Sequence, residues 1–280
     1  MEISSSNLVF RLSLIEIETL KPHEEVMQPL VNSLADAIRT QGIVRDPVIV
    51  DQDELIVLDG MHRLASLKQL KCRFAPCCLV DYKNPLIKVG AWFRLLTFEN
   101  AEFALNDLLK DEGLDYAEEK TDIERASVDP RTIIYAKNGY CYSLQISDEV
   151  ELARAAVKLE RELTKRGCQV EYQTESVAFQ QLISRSIDLV ITVPVFTKQQ
   201  ISELGRRGLL LPHKVTRHVM PSRPLRVDVP LSMLTAQNVS QTEADRELRA
   251  LLSARNVERR PPGSVVDGRR YEEELLVFAA

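Results

Sequence analysis

No apolar run in this 280-residue chain approaches the roughly 18 residues needed to cross a bilayer, which argues against a helical membrane protein. The opening residues Met1-Glu2-Ile3-Ser4-Ser5-Ser6 lack the basic and apolar regions of a secretory leader, so a cytoplasmic location is expected. Positive charge is not in excess either. The formal net charge is −5, so no overall cationic field draws in nucleic acid or an anionic membrane. Cysteine is sparse and odd in number: Cys72, Cys77, Cys78, Cys141 and Cys168, with no C-x-x-C spacing. Reduced structural thiols are expected rather than a disulfide framework or a zinc site. Internal repeats and low-complexity tracts are absent. Tryptophan occurs once, at Trp92, and histidine four times, at His23, His62, His213 and His218.

The remaining composition, 45% apolar and 28% charged, is that of a globular protein long enough for one large domain or two small ones. Its most informative stretch is Leu55-Ile56-Val57-Leu58-Asp59-Gly60-Met61-His62-Arg63-Leu64-Ala65. Four apolar residues read as a strand buried on both faces. The chain then breaks at Asp59-Gly60, and His62 to Leu70 reads as a helix. A strand, a glycine turn and a helix start form a ready anion site, because the first helical N–H groups lack internal partners and the dipole favours negative charge. Gly60 permits close backbone approach, Arg63 can grip a phosphate with two bonds, and Asp59 can hold a metal ion, accept a bond from a hydroxyl or cap the helix.

Upstream, Leu8–Glu18 reads as a strand running into Leu20-Lys21-Pro22-His23-Glu24-Glu25, where Pro22 argues against a helix. A helix from Gln28 to Thr40 stops at Gly42, and strands follow at Val48–Val50 and Ala75–Val80. Residues 101–130 read as a polar, acidic helical region with a connection near Asp129-Pro130. Beyond it a hairpin (Thr132–Ala136, Tyr140–Leu144), a helix (Asp148–Arg166), a short strand (Val170–Tyr172), a helix (Val177–Arg185), a buried strand (Asp188–Val193) and a helix capped by Thr197 make a second α/β unit. A second dense polar stretch, Pro212-His213-Lys214-Val215-Thr216-Arg217-His218-Val219-Met220-Pro221, is bracketed by prolines and holds oxyanion-binding side chains. All four histidines fall in or beside the three marked stretches, which suggests that the stretches meet at one polar site. The expected division is 1–98, 99–235 and a charged tail, 236–280. Helix is expected near Glu243–Ala254, and Leu275-Leu276-Val277-Phe278 could add a strand or pack on a second copy in a homodimer.

The spelling D-G-x-H-R-x-A after an apolar strand resembles the nucleotide-binding motif of the ParB/sulfiredoxin superfamily. With L-K-P-H-E before it, a tryptophan after it and T-R-H-V-x-P further on, the chain resembles the free L-serine kinases of that superfamily over about residues 8–235. The implied fold is α/β (α+β), a ParB/sulfiredoxin-like nucleotide-binding domain with a smaller α/β lobe. The implied activity is phosphoryl transfer from ADP or ATP to the hydroxyl of L-serine, with Mg2+, in amino-acid or siderophore biosynthesis. Carried over by position, Glu24 in the P-H-E place looks like the base, in preference to Glu25. Asp59 looks like the acidic residue beside the transferred phosphoryl group and magnesium. Gly60, Met61, His62, Arg63 and Gly42 look like the nucleotide- and phosphate-binding set, and Trp92, Thr216, Arg217 and His218 like the serine-binding set. Met61 stands where sulfiredoxins carry their cysteine, which excludes sulfinic acid repair. The alternative is a ParB-like nucleotide-responsive regulator touching DNA through Lys214, Arg217, Arg223 and Arg226. Net charge and the lack of a helix-turn-helix pattern speak against that, and a nucleic-acid partner is not expected.

Overall fold

The strand Leu8–Glu16 alternates buried and exposed residues along its first half, with Phe10, Leu12 and Leu14 turned inward. It pairs antiparallel with Phe74–Val80, whose seven residues are all buried. A strand with that pattern needs cover on both faces, so Cys77 and Cys78, pointing opposite ways, are both buried. In this computed structural model, which describes residues 1–5, 8–98, 101–122 and 132–279, the full sheet runs Glu2–Ser5, Leu8–Glu16, Phe74–Val80, Val48–Asp51, Val57–Asp59. The Val48–Asp51 and Phe74–Val80 strands are parallel, and the other pairs in this sheet are antiparallel. Helices Gln28–Gln41 and Met61–Gln69 pack on each other, and Gln241–Ser253 packs on Leu8–Glu16. Asp245 of that last helix accepts bonds from the Ser13 hydroxyl and, at 2.7 Å, from the Leu14 N–H.

Two compact units emerge. The first comprises residues 1–88, 197–210 and 218–280, and the second comprises 89–196 and 211–217. This differs from a division at 98 and 235, because segments far along the chain return to the first unit. Helix Lys198–Arg207 docks there: Lys198 Nζ donates to the carbonyls of Tyr82 (2.7 Å) and Asn84 (2.8 Å). Gly205 sits so close to Ile56 that a Cβ would come within 2.6 Å of its side chain. The tail also joins this unit. Strand Glu274–Ala279 runs parallel to Ser222–Leu225 and antiparallel to Asn256–Arg260, over a cluster of Leu225, Val266, Tyr271, Leu275 and Val277. Leu275 to Phe278 are thereby buried within the unit and offer no apolar face to a second copy.

The second unit is built on an antiparallel six-stranded sheet ordered Gln169–Gln173, Phe93–Thr97, Leu189–Ile191, Thr132–Ala136, Tyr140–Leu144, Tyr116–Lys120. Its helices are Ala101–Asp111, Glu149–Lys165 and Glu175–Ile183. The acidic stretch expected to be helical ends its helix at Asp111 and then forms the edge strand Tyr116–Lys120, paired with Tyr140–Leu144. Charged residues there suit an edge, where they discourage further strand pairing. The connection expected near Asp129-Pro130 lies outside the described residues. No described helix is long and apolar enough to cross a membrane. All five cysteines are buried and none is in a disulfide, and burial raises the Cys72 thiol to about 11 and those of Cys77 and Cys78 further. These thiols therefore stay protonated and inert.

Candidate active site

In the first unit the Pro-His-Glu loop is stitched to the strand that carries Asp59. Lys21 N–H donates to Leu55 C=O (3.0 Å), and Val57 N–H donates to Lys21 C=O (2.9 Å). His23 is fully buried, and its Nδ1 lies 2.7 Å from the Val57 carbonyl. A carbonyl only accepts, so Nδ1 carries the proton. His23 thus serves as an anchor for the loop, which leaves Glu24 half-buried beside the strand and Glu25 exposed.

The glycine turn has two distinct demands. Gly60 caps helix Met61–Gln69 with φ of 99°, a left-handed conformation, and no side chain caps that helix. Asp59 therefore does not cap. A Cβ on Gly60 would also come within 2.8 Å of Arg63 Nη1, which folds back to donate to Pro47 C=O at 2.7 Å. Gly60→Ala is expected to cost about 1–2 kcal/mol from backbone strain alone and to displace Arg63. A thermal melt and a nucleotide titration check this, and unchanged nucleotide affinity would show that Arg63 does not depend on the turn. His62 takes up a different bond: Met27 N–H donates to its Nε2 at 3.0 Å. In a neutral ring the proton then sits on Nδ1. Gly42 is the left-handed cap of helix Gln28–Gln41, with open space where a Cβ would stand.

Asp59 is held by a residue the sequence reading had marked only as a possible DNA contact. Arg223 pairs with Asp59 Oδ2 through Nη1 and donates through Nε to Glu273 Oε1 at 2.7 Å. Desolvation pushes the Asp59 carboxyl up, but the guanidinium of Arg223, reinforced by Arg63, outweighs it and holds the group well below the usual carboxylate range. Asp59 is thus ionised at any working pH, and its side chain remains 41% exposed. Among the described residues no group of three or more His, Cys, Asp or Glu side chains could hold a metal. A single exposed carboxylate suits Mg2+, which is commonly bound through one or two carboxylates plus substrate phosphates.

His218 enters the same unit. Its ring lies 5.4 Å from that of His23, edge to face, and its Nε2 is 2.8 Å from the Tyr82 hydroxyl. Burial pushes His23 down to about 4, and burial with the neighbouring His23 ring pushes His218 down to about 3. Both are neutral at pH 7. Because the unfolded chain takes up these protons near 6.5 and the folded chain does not, acidification below about 6.5 favours unfolding. The loss for His23 alone is on the order of 3 kcal/mol over the interval down to its folded value. Melting temperature should fall between pH 7 and pH 4.5, and His23→Phe should flatten that slope; an unchanged slope would refute the assignment.

Trp92, Thr216 and Arg217 belong to the second unit. The half-buried Trp92 ring carries two cations, Lys214 Nζ at 4.6 Å and Arg217 Cζ at 5.5 Å from its centroid. Its carbonyl accepts from Arg94 Nη1 at 2.7 Å. Arg94 is fully buried and also donates to Glu160 Oε2 (2.9 Å) and to His213 C=O (3.3 Å). The Tyr172 hydroxyl donates to the other Glu160 oxygen and lies 3.4 Å from His213 Nε2. His213 is therefore part of the framework around Trp92. Arg223, Glu273, Arg94 and Glu160 were not readable as site residues, since each takes its meaning from a partner 50 or more positions away.

No family model matches the chain. It is 29% identical over 227 residues to the ADP-dependent L-serine kinase SerK of Thermococcus kodakarensis, covering 79% of this chain and 91% of the relative. It is 28% identical over 234 residues to the ATP-dependent L-serine kinase of Staphylothermus marinus, covering 79% and 90%. Among solved structures, a glutamate-to-glutamine variant of a free serine kinase in complex with AMP superposes with a TM-score of 0.68 at 26% identity, covering 80% of this chain and 93% of that one.

Proposed function

We infer that the chain is a free L-serine kinase of the ParB/sulfiredoxin superfamily, transferring a phosphoryl group from ADP or ATP to the serine hydroxyl. The observation that carries this reading is the stitching of the loop that carries Glu24 to the strand that ends at Asp59 and leads into a glycine turn at a helix start. Phosphoryl transfer needs little else from a protein: positioning, charge neutralisation and a base near the nucleophile.

In this reading Glu24 takes the proton from the serine hydroxyl as its oxygen attacks the terminal phosphorus. The N–H groups at the start of helix Met61–Gln69, with Arg63 and His62 Nδ1, offset charge on the phosphoryl oxygens. Gly42 is assigned to this nucleotide-binding set by its place in the sequence. Asp59 would hold Mg2+, which when bound neutralises phosphate charge. Thr216, Arg217 and His218 hold serine alongside Trp92, with Arg217 as the cation for its carboxylate. Relatives of nearly equal identity are named for ADP and for ATP, so both donors stay in the proposal. A cytoplasmic location suits an enzyme drawing on free serine and nucleotide. The DNA-contacting alternative loses support because Arg223 is neutralised by Asp59 and Glu273, and Arg226 by Asp267 at 2.5 Å.

Phosphorus NMR with L-serine, Mg2+ and either nucleotide tests the proposal. A phosphoserine signal is expected, with AMP or ADP as co-product identifying the donor. Folded protein that binds nucleotide and yields no phosphoserine with either would overturn it.

A further inference from the structure

Asp59 stands at the end of its strand, where a carboxylate with one engaged oxygen could turn freely about its own side-chain torsions. Two contacts prevent this. Arg223 Nη1 engages Oδ2, and the same guanidinium is held from its other side by Glu273 through Nε at 2.7 Å. Arg223 is 11% exposed and Glu273 15%, so the clamp is shielded where the Asp59 carboxylate, 41% exposed, is not. Its register comes from the tail: Ser222–Leu225 pairs parallel with Glu274–Ala279, Ser222 opposite Glu274 and Arg223 opposite Leu275, which sets Glu273 beside the Arg223 side chain. A planar guanidinium can bond two carboxylates at fixed angles, which an ammonium cannot do as rigidly.

We propose that Arg223 and Glu273 are positioning residues for the phosphoryl transfer: Glu273, supplied by the C-terminal segment, orients Arg223, and Arg223 fixes the Asp59 carboxylate so that one oxygen faces the reacting phosphate. The inference rests on the kinase reading above. It makes the tail, which carries none of the motifs, a working part of the active site. Partners that orient a reactive carboxylate at one remove commonly matter by 10- to 100-fold.

The test is kinetic, in the full chain. Arg223→Met is expected to lower kcat by about 10- to 100-fold, and Glu273→Gln by about tenfold, with KM for serine little changed. Arg223→Lys should recover part of the loss. In an Asp59→Asn background, Arg223→Met should change kcat by less than about twofold, because its target is gone. A merely structural role would not give that non-additivity. Calorimetry supplies a second readout: nucleotide affinity without Mg2+ should be retained in Glu273→Gln, while the gain on adding Mg2+ should shrink. Should Arg223→Met melt far below the wild type, Arg223→Lys and Glu273→Gln carry the test. Wild-type kcat in a folded Arg223 or Glu273 variant, or losses that simply multiply with Asp59→Asn, overturns the inference and leaves the kinase reading standing. Absence of phosphoserine from the wild type overturns both.

Discussion

Replacing Glu24 with glutamine is expected to lower kcat by about 10²- to 10⁴-fold, the range over which a positioned general base contributes. The amide keeps the shape and the hydrogen-bonding reach of the carboxylate but cannot accept the serine proton. The change leaves the bonds that anchor the loop in place. The loop is held by His23 Nδ1 on the Val57 carbonyl and by the Lys21 backbone, and neither bond uses Glu24. Nucleotide affinity by calorimetry should therefore stay near the wild-type value while phosphoserine formation collapses. Glu25→Gln is the control: its exposed neighbour should change kcat by no more than about twofold. Equal losses at both positions, or none at Glu24, would remove Glu24 as the base.

The second large effect is on stability. Arg94 is fully buried with four groups around it: Glu160, the Trp92 carbonyl, the His213 carbonyl and the Tyr172 ring, the last at 5.6 Å from its centroid. Arg94→Met leaves the Glu160 carboxylate buried without its cation, and breaking such a pair costs about 3–5 kcal/mol. Denaturant melts should show this directly. Replacing both members with apolar residues of similar volume, Arg94→Met with Glu160→Leu, should restore much of the stability, because the unpaired charge disappears. It should not restore function. The Trp92 carbonyl loses its tether in both variants, so KM for serine should stay raised in the stable double variant. A double variant with wild-type KM would mean that Arg94 holds the fold and has no part in placing Trp92.

These two sites differ in how far the chain alone discloses them. The loop that carries Glu24 was readable as a held, non-helical segment because its surroundings are local: Pro22 fixes it, and the motif is contiguous. Local rules also placed the hairpin Thr132–Ala136/Tyr140–Leu144, the helix that starts after Asp148, the Gly42 stop and the Thr197 cap. Arg94 was invisible for the opposite reason. It interrupts the apolar run of strand Phe93–Thr97, and the carboxylate that makes it tolerable lies on a helix 66 residues away. The edge strand Tyr116–Lys120 was hidden likewise, since Glu118-Glu119-Lys120 has no strand periodicity until Tyr140–Leu144 pairs with it. His23 was marked as polar loop chemistry, and only burial reveals it as an anchor.

The order in which the segments build the two units has a practical consequence. Residues 1–88, 197–210 and 218–280 make one, and 89–196 and 211–217 make the other, so the backbone passes between them at 88/89, 196/197, 210/211 and 217/218. Neither can be excised as one uninterrupted piece. A protease that nicks the chain once between residues 89 and 217 leaves each fragment holding parts of both, and no single cut separates one whole unit from the other. The last of these passages is the bond between Arg217 and His218. An inserted residue there would shift the register of two hydrophobic cores at once, which makes it a poor place for a tag and a sensitive place to ask whether the units fold independently.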